Sequence, residues 1–495
     1  MKKKVLSIIL CCFLLAGTSS LAGQISDATK SCLSCHSSVT PGIVCSWKES
    51  IHSQISPAEA LKKKLLLRKI SVTKIPKDIA NVVVGCAECH TANHNAHQDT
   101  FEHNGFNVHV IVTPKDCAIC HLTEVKEYNK NLMSKAYRNF KKNPLYHDLE
   151  NTSLGPQVVK ESKLIYEKPH SETQADSCLF CHGTRIKVKG LKAKETEFGE
   201  MKFPVLKGWP NQGTGRVNPD GSEGSCTSCH PRHSFSLEVA RKPYTCAECH
   251  KGPDVPAYKI YMVSKHGNIY FSQGKGWDFK AVPWIVGKDF KAPTCATCHI
   301  SLIVDEENNI IAKRTHQMND RIAWRLFGLI YAHPHPKEAD TTKIKNKAGL
   351  NLPTELTGEP VSKFLISAKE MKYRTANMKK VCLACHTTGW VEGHFARMEK
   401  SIETANKQTL TATQILLKAW KMKVAKGLPS SIFDEAIEKM WVEQWLFYAN
   451  SVRFASAMSG ADYGAFANGR WYLNKNLQQM SDWLKLKLKA EESKK

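Results

Sequence analysis

Past its first twenty-odd residues this 495-residue chain has no long apolar run. That excludes a membrane-embedded bundle, because each spanning helix needs about 20 consecutive apolar residues. Acidic residues are scarce as well. There are 46 Asp and Glu against 70 Lys and Arg, a formal net charge of +24, and such an imbalance ordinarily points to nucleic acid or an anionic surface. Neither apolar nor charged residues reach an extreme, at 42% and 23%, so wholesale disorder is excluded too. Length alone sets a prior of about three domains.

The one apolar stretch sets the compartment. Lys2, Lys3 and Lys4 precede an apolar run from Val5 to Leu15, and small residues then lead to Ser20-Leu21-Ala22. This is the order of a secretory signal peptide over residues 1–23, cleaved after Ala22 or Gly23. The run is about half the length of a membrane anchor. Cys11 and Cys12 lack the small residue that precedes a lipidated cysteine. The mature protein is therefore expected in the periplasm or an equivalent extracytoplasmic compartment.

Of the 17 cysteines beyond the leader, 16 fall into one pattern. Cys-x-x-Cys-His occurs at Cys32/Cys35/His36, Cys86/Cys89/His90, Cys117/Cys120/His121 and Cys178/Cys181/His182. It recurs at Cys226/Cys229/His230, Cys246/Cys249/His250, Cys295/Cys298/His299 and Cys382/Cys385/His386. Each unit suits one heme c, with two thioethers to its vinyl groups and the adjacent imidazole as proximal iron ligand. A disulfide framework gives no reason for His after every second cysteine, and paired-CxxC zinc sites give none either. Eight covalent hemes per chain are expected. Cys45 is left over and reads as a buried structural residue.

The motifs span residues 32–386, about 44 residues per heme, and chains below about 40 residues rarely enclose a core of their own. The porphyrins are therefore expected to stack into one shared core over residues 24–393, forming an electron wire. Motifs five and six, with 15 residues between His230 and Cys246, are expected to be near contact. Stretches such as Gly199 to Gly224 read as loops. Residues 394–495 differ. Phe395, Met398, Ile402 and Ala405 recur at helical spacing, as do Ala436, Met440, Trp441, Trp445, Ala449 and Val452 behind a capping-box-like Ser431–Asp434. A third helix is expected from about Trp471 to Lys494. The fold class is thus mainly α with extensive loops, a heme-stack core and a C-terminal bundle of long helices. That bundle would pack on the heme domain or on neighbouring subunits, with its Trp and Met residues in core or interface.

Thirteen histidines remain beside the eight proximal ones. Bis-histidine ligation throughout needs eight of them and one open heme needs seven, so the count permits both.

Taken together, the motifs resemble the octaheme hydroxylamine oxidoreductase family across most of Cys32 to His386. The likeness rests on Trp47-Lys48-Glu49-Ser50-Ile51-His52 and on Cys226 through Ser236 with Arg241-Lys242-Pro243. It extends to Ser264-Lys265-His266-Gly267, Ala292-Pro293-Thr294-Cys295, and Thr315-His316 with Trp324 eight residues on. The resemblance implies distal ligands at His52, His233, His266 and His316. His103 and His109 are candidates in a stretch whose register is open, and His94, His97, His147, His170 and His394 remain alternatives. It also implies that the fourth motif, with proximal His182, carries a catalytic heme open to small nitrogen species, with seven bis-histidine hemes transferring electrons. The family's Asp-His pair after the sixth motif becomes Asp254-Val255 here, and its tyrosine beyond the seventh aligns with Phe327. Tyr331 is the nearby substitute, and His333 and His335 are further proton-donor candidates. The Asn-Pro-Gly-Gly run before the family's crosslinking tyrosine is missing, although Tyr463 and Tyr472 follow in that region. The chain is therefore similar to the members without a tyrosine–heme crosslink, associated with reduction of nitrite and related species.

The expected function is reduction of nitrite, nitric oxide or hydroxylamine, with His182, Asp254 and Tyr331 at the site. Hydroxylamine oxidation and a non-catalytic electron carrier are the alternatives. A redox partner protein or quinol-linked cytochrome is expected, as is a homotrimer. Removing the leader's three lysines and adding eight hemes near −1 each brings the net charge to about +13. Much of the basic excess then serves propionates and incoming anions, and nucleic acid drops out.

Overall fold

The computed structural model describes residues 23–428 and 430–494. The expected leader, up to Ala22, lies outside the described residues. The chain is mainly helical, at 48%. Several motifs form a single helical turn of their own, as at Cys86–His90, Cys178–His182 and Cys295–His299. Helical spacing explains why: residues i, i+3 and i+4 share one face, so both thiols and the imidazole converge on the same side. The fourth motif ends at Gly183, with φ +92°. A Cβ there would meet the Arg216 backbone nitrogen at 2.4 Å, so only glycine lets the segment around residue 216 close over His182.

Short antiparallel ribbons fill the spaces between motifs. β1 (Thr100–His103) pairs with β2 (Phe106–His109), and β3 (Gln157–Lys160) with β4 (Lys163–Tyr166). β5 (Lys187–Thr196) and β6 (Gly199–Lys207) make a long hairpin. The first third of the stretch expected as loop from Gly199 to Gly224 is thus a strand. Its Lys, Phe and Val positions carry enough alternation to pair, and Gly199, at φ +92°, sits at the turn. A small sheet joins β7 (Trp284–Ile285), β8 (Ile303–Val304) and β9 (Ile310–Ala312). β10 (Trp324–Arg325) pairs with β11 (His333–Pro334).

Behind the last motif, α1 (Thr388–Lys421) runs for 34 residues and buries Val391, Phe395, Ile402, Ala405, Ala412, Leu416 and Ala419 at intervals that keep one face inward. It begins two residues after His386, so the expected division at residues 393/394 falls inside one unbroken helix. α2 (Ala436–Val442) starts at a Glu435/Glu438 capping box, beyond the expected Ser431–Asp434 start. A π turn over Glu443–Tyr448 leads into α3 (Ala449–Met458), and α4 (Arg470–Glu492) closes the bundle. Trp441, Trp445, Phe433, Leu416, Met480 and Leu484 form its core, together with Leu329, Ile330 and Tyr331 from the heme-motif region. The Trp441 indole donates to Thr413 Oγ1 at 2.9 Å, so this tryptophan is core, as expected. Among the described residues no helix is long and apolar enough to cross a membrane. Cys45, expected buried, is exposed.

Candidate functional site: the heme motifs and the surroundings of His182

An imidazole nitrogen sits about 2 Å from a bound metal, so two imidazoles that share one iron bring their ring centres to roughly 6 Å. Five proximal histidines face a second histidine at such a distance. The pairs are His36–His103 at 6.2 Å, His121–His52 at 6.2 Å, His90–His233 at 6.4 Å, His230–His316 at 6.5 Å and His386–His266 at 6.0 Å. Burial pushes His52, His233 and His316 down to about 4 and His230 to about 3. These rings are therefore neutral at ordinary pH, the form that offers a lone pair to a metal. The Nδ1 atoms of His52, His182, His299, His316 and His335 are buried without a hydrogen-bond partner. Paired imidazoles, orphaned ring nitrogens and converging thiols all fit covalently held heme. His335, weighed in sequence only as a proton donor, lies close enough to His299 for its charge to be felt there. His250 has Phe327 edge-on at 6.2 Å, and His182 has Phe140 at 4.7 Å.

His109 is also near His90, at 6.0 Å, but its ring is turned toward backbone carbonyls. Its Nδ1 and Nε2 lie on the carbonyls of Ile111 at 3.2 Å and Ala92 at 2.8 Å. Its own carbonyl accepts from His90 Nδ1 at 2.8 Å, which orients the proximal ring. His97 stacks on His109 at 3.6 Å and bridges Asp99 at 3.4 Å and Asp116 at 3.3 Å, all three side chains being buried. Burial alone would lower the His97 pKa, yet the two carboxylates more than offset it and raise it to about 9. A group raised in the folded state contributes stability below its unfolded pKa near 6.5 and loses it as pH rises through the folded value. The urea stability of the holoprotein is accordingly expected to fall by about 3 kcal/mol between pH 6.5 and pH 9. His97→Gln is expected to be less stable at pH 6 and to lack that slope. A variant that keeps the slope would place its origin elsewhere. His147 pairs with Glu150 at 3.1 Å, and His170 is exposed ahead of the helix Ser171–Asp176.

Contacts between cysteines order the motifs in space. Cys32 lies within hydrogen-bonding reach of Cys86, Cys117 of Cys226, Cys181 of Cys249, and Cys246 of Cys295. Weaker neighbours are Cys89 with Cys120, Cys229 with Cys246, and Cys298 with Cys382. The succession is therefore one, two, three, five, six, seven, eight, with the fourth motif branching from the sixth. Motifs five and six are neighbours, as their spacing suggested. Closer pairings, three with five and four with six, are long-range and invisible in spacing.

Cys35 is set like the other motif thiols, of which Cys385 alone is exposed. Cys35 is half-buried, and its Sγ lies 3.8 Å from the hydroxyl of the adjacent, exposed Ser34. The last motif has a neighbouring motif on one side only, so Cys382 lies toward Cys298 while Cys385 borders on solvent. Cys35 keeps the helical spacing to Cys32 and His36 within the helix Asp27–Val39, which still directs all three toward one face.

Two of the three expected catalytic residues come together and the third does not. The Asp254 charge acts on His182, Cys178, Cys181 and His250, which places the carboxylate between the fourth and sixth motifs. It folds back over Gly252, where a Cβ would meet its Oδ1 at 2.5 Å. Tyr331 instead belongs to the C-terminal core. Its hydroxyl donates to the Leu356 carbonyl at 2.8 Å, lies 3.1 Å from Thr413 Oγ1, and is pushed up to about 12 by burial. Phe327, four residues earlier, faces the motifs while Tyr331 faces the helices. Burial pushes His333 down to about 3 and holds His335 well below its ordinary value, which makes both poor proton donors.

Three residues that sequence reasoning missed complete the surroundings. Asn450 Nδ2 donates to the Asp254 carbonyl at 2.8 Å. Arg453, fully buried, donates to the Leu326 carbonyl at 3.2 Å and to Asn450 Oδ1 at 3.1 Å. Arg325 acts electrostatically on His182 and stands over the Phe327 ring at 5.5 Å. The signal for the first two was present: polar residues inside an otherwise apolar helix.

Covalent c-type heme attachment through Cys-x-x-Cys-His, repeated along one chain with facing imidazoles, defines a multiheme c-type cytochrome. Residues 218–325 match a family model described as seven times multi-haem cytochrome CxxCH, and residues 116–202 one described as cytochrome c554 and c-prime. A solved structure of a hypothetical multiheme protein is 43% identical, covers 95% of this chain and 97% of that one, and has a TM-score of 0.89. The chain belongs to the multiheme c-type cytochromes. A reducing HAO-like protein complex of Kuenenia stuttgartiensis shares the fold, at 16% identity over 94% of this chain and 87% of that one, with a TM-score of 0.62. A probable nitrite reductase-hydroxylamine oxidoreductase fusion protein of the same organism is 26% identical over 321 residues, 57% of this chain. The match spans 35% of that relative's length.

Proposed function

We propose that this protein is an exported cytochrome with eight hemes c that reduces a small nitrogen species, namely nitrite, nitric oxide or hydroxylamine, at the fourth motif. The observation that carries the reading is the environment of His182: among the described residues no second imidazole faces its ring at the spacing of the five pairs, and the charges of Asp254 and Arg325 both act on it, whereas His250, which also lacks a facing imidazole, feels Asp254 alone. The heme bound there would supply an iron with one open face and the electrons to reduce what binds it. His103, His233, His52, His316 and His266 serve as distal ligands opposite their facing partners, and His335 serves His299. The Asp254 carboxyl relays protons to the oxygen that leaves nitrogen. The branch from the sixth motif to the fourth lets electrons arrive from either arm of the chain. The missing Asn-Pro-Gly-Gly run supports the reductive direction. The names of the Kuenenia relatives support the substrate class. A homotrimer, a redox partner protein and a periplasmic location complete the reading.

One observation favours the oxidative alternative: Tyr463 and Tyr472 line a pocket with Pro253 and Pro256, beside Asp254. A heme-linked tyrosine in a peptide mass spectrum would establish it. The reductase reading is tested with purified holoprotein and a reduced viologen. Nitrite- or hydroxylamine-dependent dye oxidation is expected, together with a high-spin electron paramagnetic resonance signal from the oxidised protein. Eight low-spin hemes and no dye oxidation would make it an electron carrier.

A further inference from the structure

β10 and β11 pair Arg325 directly with His333, so the two side chains leave the ribbon on the same face. Phe327, two residues on, lies beneath the Arg325 guanidinium and reaches His250 at 6.2 Å. The ribbon therefore presents Arg325 toward the space between the fourth and sixth motifs. Arg325 Nε is buried and has no hydrogen-bond partner, a costly arrangement for a charged donor unless something else accepts from it. Arg453, which holds the intervening Leu326, is bonded to neutral oxygens, and its own Nε is likewise buried and unpartnered. Among the described residues neither guanidinium is paired with a carboxylate. Two cations, Arg453 buried and Arg325 half-buried, thus adjoin through Leu326, each with a buried donor unused.

We infer that Arg325 is an anion-binding residue of the fourth-motif site, holding an oxyanion against its guanidinium and selecting nitrite over the neutral nitric oxide and hydroxylamine. The inference rests on the reading of that heme as the substrate site, and it narrows the substrate class. Guanidinium suits the task because its donors form a planar fork that matches two oxygens on one centre, a geometry lysine cannot supply. A heme propionate offers the same chemistry, a delocalised oxyanion, and the experiment separates the two sources.

The test is ligand binding to holoprotein, followed by absorbance, in the wild type, Arg325→Gln and Arg325→Lys. Azide and nitrite are titrated into the oxidised protein and carbon monoxide into the reduced one. Loss of one charge-assisted contact is expected to weaken azide and nitrite about tenfold or more in Arg325→Gln. Carbon monoxide, being neutral, should bind as in the wild type. Arg325→Lys keeps the charge without the fork and is expected to fall between the two; it serves also if the glutamine variant takes up its hemes poorly. Unchanged azide and nitrite affinity with a shifted midpoint potential would assign the guanidinium to a propionate and overturn the inference. Equal weakening of all three ligands would overturn it as well, because it would mean a distorted site. A wild type that binds none of the three fails at an earlier point, since it would refute the open heme itself.

Discussion

Asp254→Asn is expected to lower turnover with nitrite or hydroxylamine by about 10²- to 10⁴-fold, the range lost when a positioned proton donor is removed. The substitution isolates the proton. Asparagine has the same shape, and the bond that fixes the loop runs from Asn450 to the backbone carbonyl of residue 254, which the variant keeps. The folded-back side chain over Gly252 also survives the exchange. Carbon monoxide affinity and heme content should therefore equal those of the wild type while turnover collapses. Turnover within twofold of the wild type would remove Asp254 from the chemistry and leave the incoming protons to solvent. The same measurement bears on the carrier alternative, in which no substrate-dependent rate exists for the substitution to lower.

How much of this site was legible in the sequence depends on what fixes each residue. The eight attachment units were fully legible, because covalent chemistry demands two thiols and an imidazole at fixed local spacing. The exposed setting of Cys385 was not, since it follows from the last motif's place at the end of the row. Four histidines that face a proximal ring, His52, His233, His266 and His316, were legible through family resemblance, while His103, which faces His36, was left open beside His109. The setting of His109 was not legible. Its identity as a histidine says nothing about its nitrogens, and two backbone carbonyls occupy them. The order of the motifs in space was illegible for a related reason. Spacing reports on neighbours along the chain, and it foresaw motifs five and six. It cannot report that Cys117 meets Cys226 or that Cys181 meets Cys249, since those contacts close loops of 68 residues or more. Tyr331 was misplaced by the geometry of a turn. The chain reverses between β10 and β11, so a residue four positions past Phe327 faces the opposite way and enters the helical core.

The helices were legible as helices, but their purpose was only half visible. Periodicity identified Ala449 and Val452 as inward-facing, and both are buried. It gave Asn450 and Arg453 no role, because a single apolar stripe assumes that the rest of the helix meets water. α3 violates that assumption, since Asn450, Ser451 and Arg453 are as buried as their apolar neighbours. The π turn that precedes it inserts an extra residue into the helical register, a device common where a helix serves a site.

Arg453→Leu should therefore be among the most damaging substitutions in the chain, although the residue touches no expected ligand. Its guanidinium joins three segments: α3 through Asn450, the strand end at Leu326, and α1 through Asn406. Asn406 in turn holds both backbone groups of Ala332, donating to its carbonyl at 3.0 Å and accepting from its amide at 3.1 Å. Burial lowers the Arg453 pKa to about 9, which leaves it cationic at neutral pH, so these are charge-assisted bonds. Leucine would remove every donor and leave the Leu326 carbonyl and Asn450 Oδ1 buried without the arginine, with Asn406 Oδ1 keeping only the Ala332 amide, at a cost of about 3 kcal/mol or more. That outcome differs from replacing a buried ion pair with apolar residues, which is often neutral because both partners disappear together. The loss should show as a lowered urea midpoint. Because Asn450 would also lose its hold, the Asp254 loop and the Arg325 ribbon should drift relative to His182. Asn450→Ala separates these effects. It keeps Arg453 bonded to Leu326 and Asn406, so stability should fall by only about 1 kcal/mol while turnover falls along with that of Arg453→Leu. A wild-type midpoint in Arg453→Leu would show that the three segments hold together without the arginine. An Asn450→Ala protein with undiminished turnover would show that the Asp254 loop needs no support from α3.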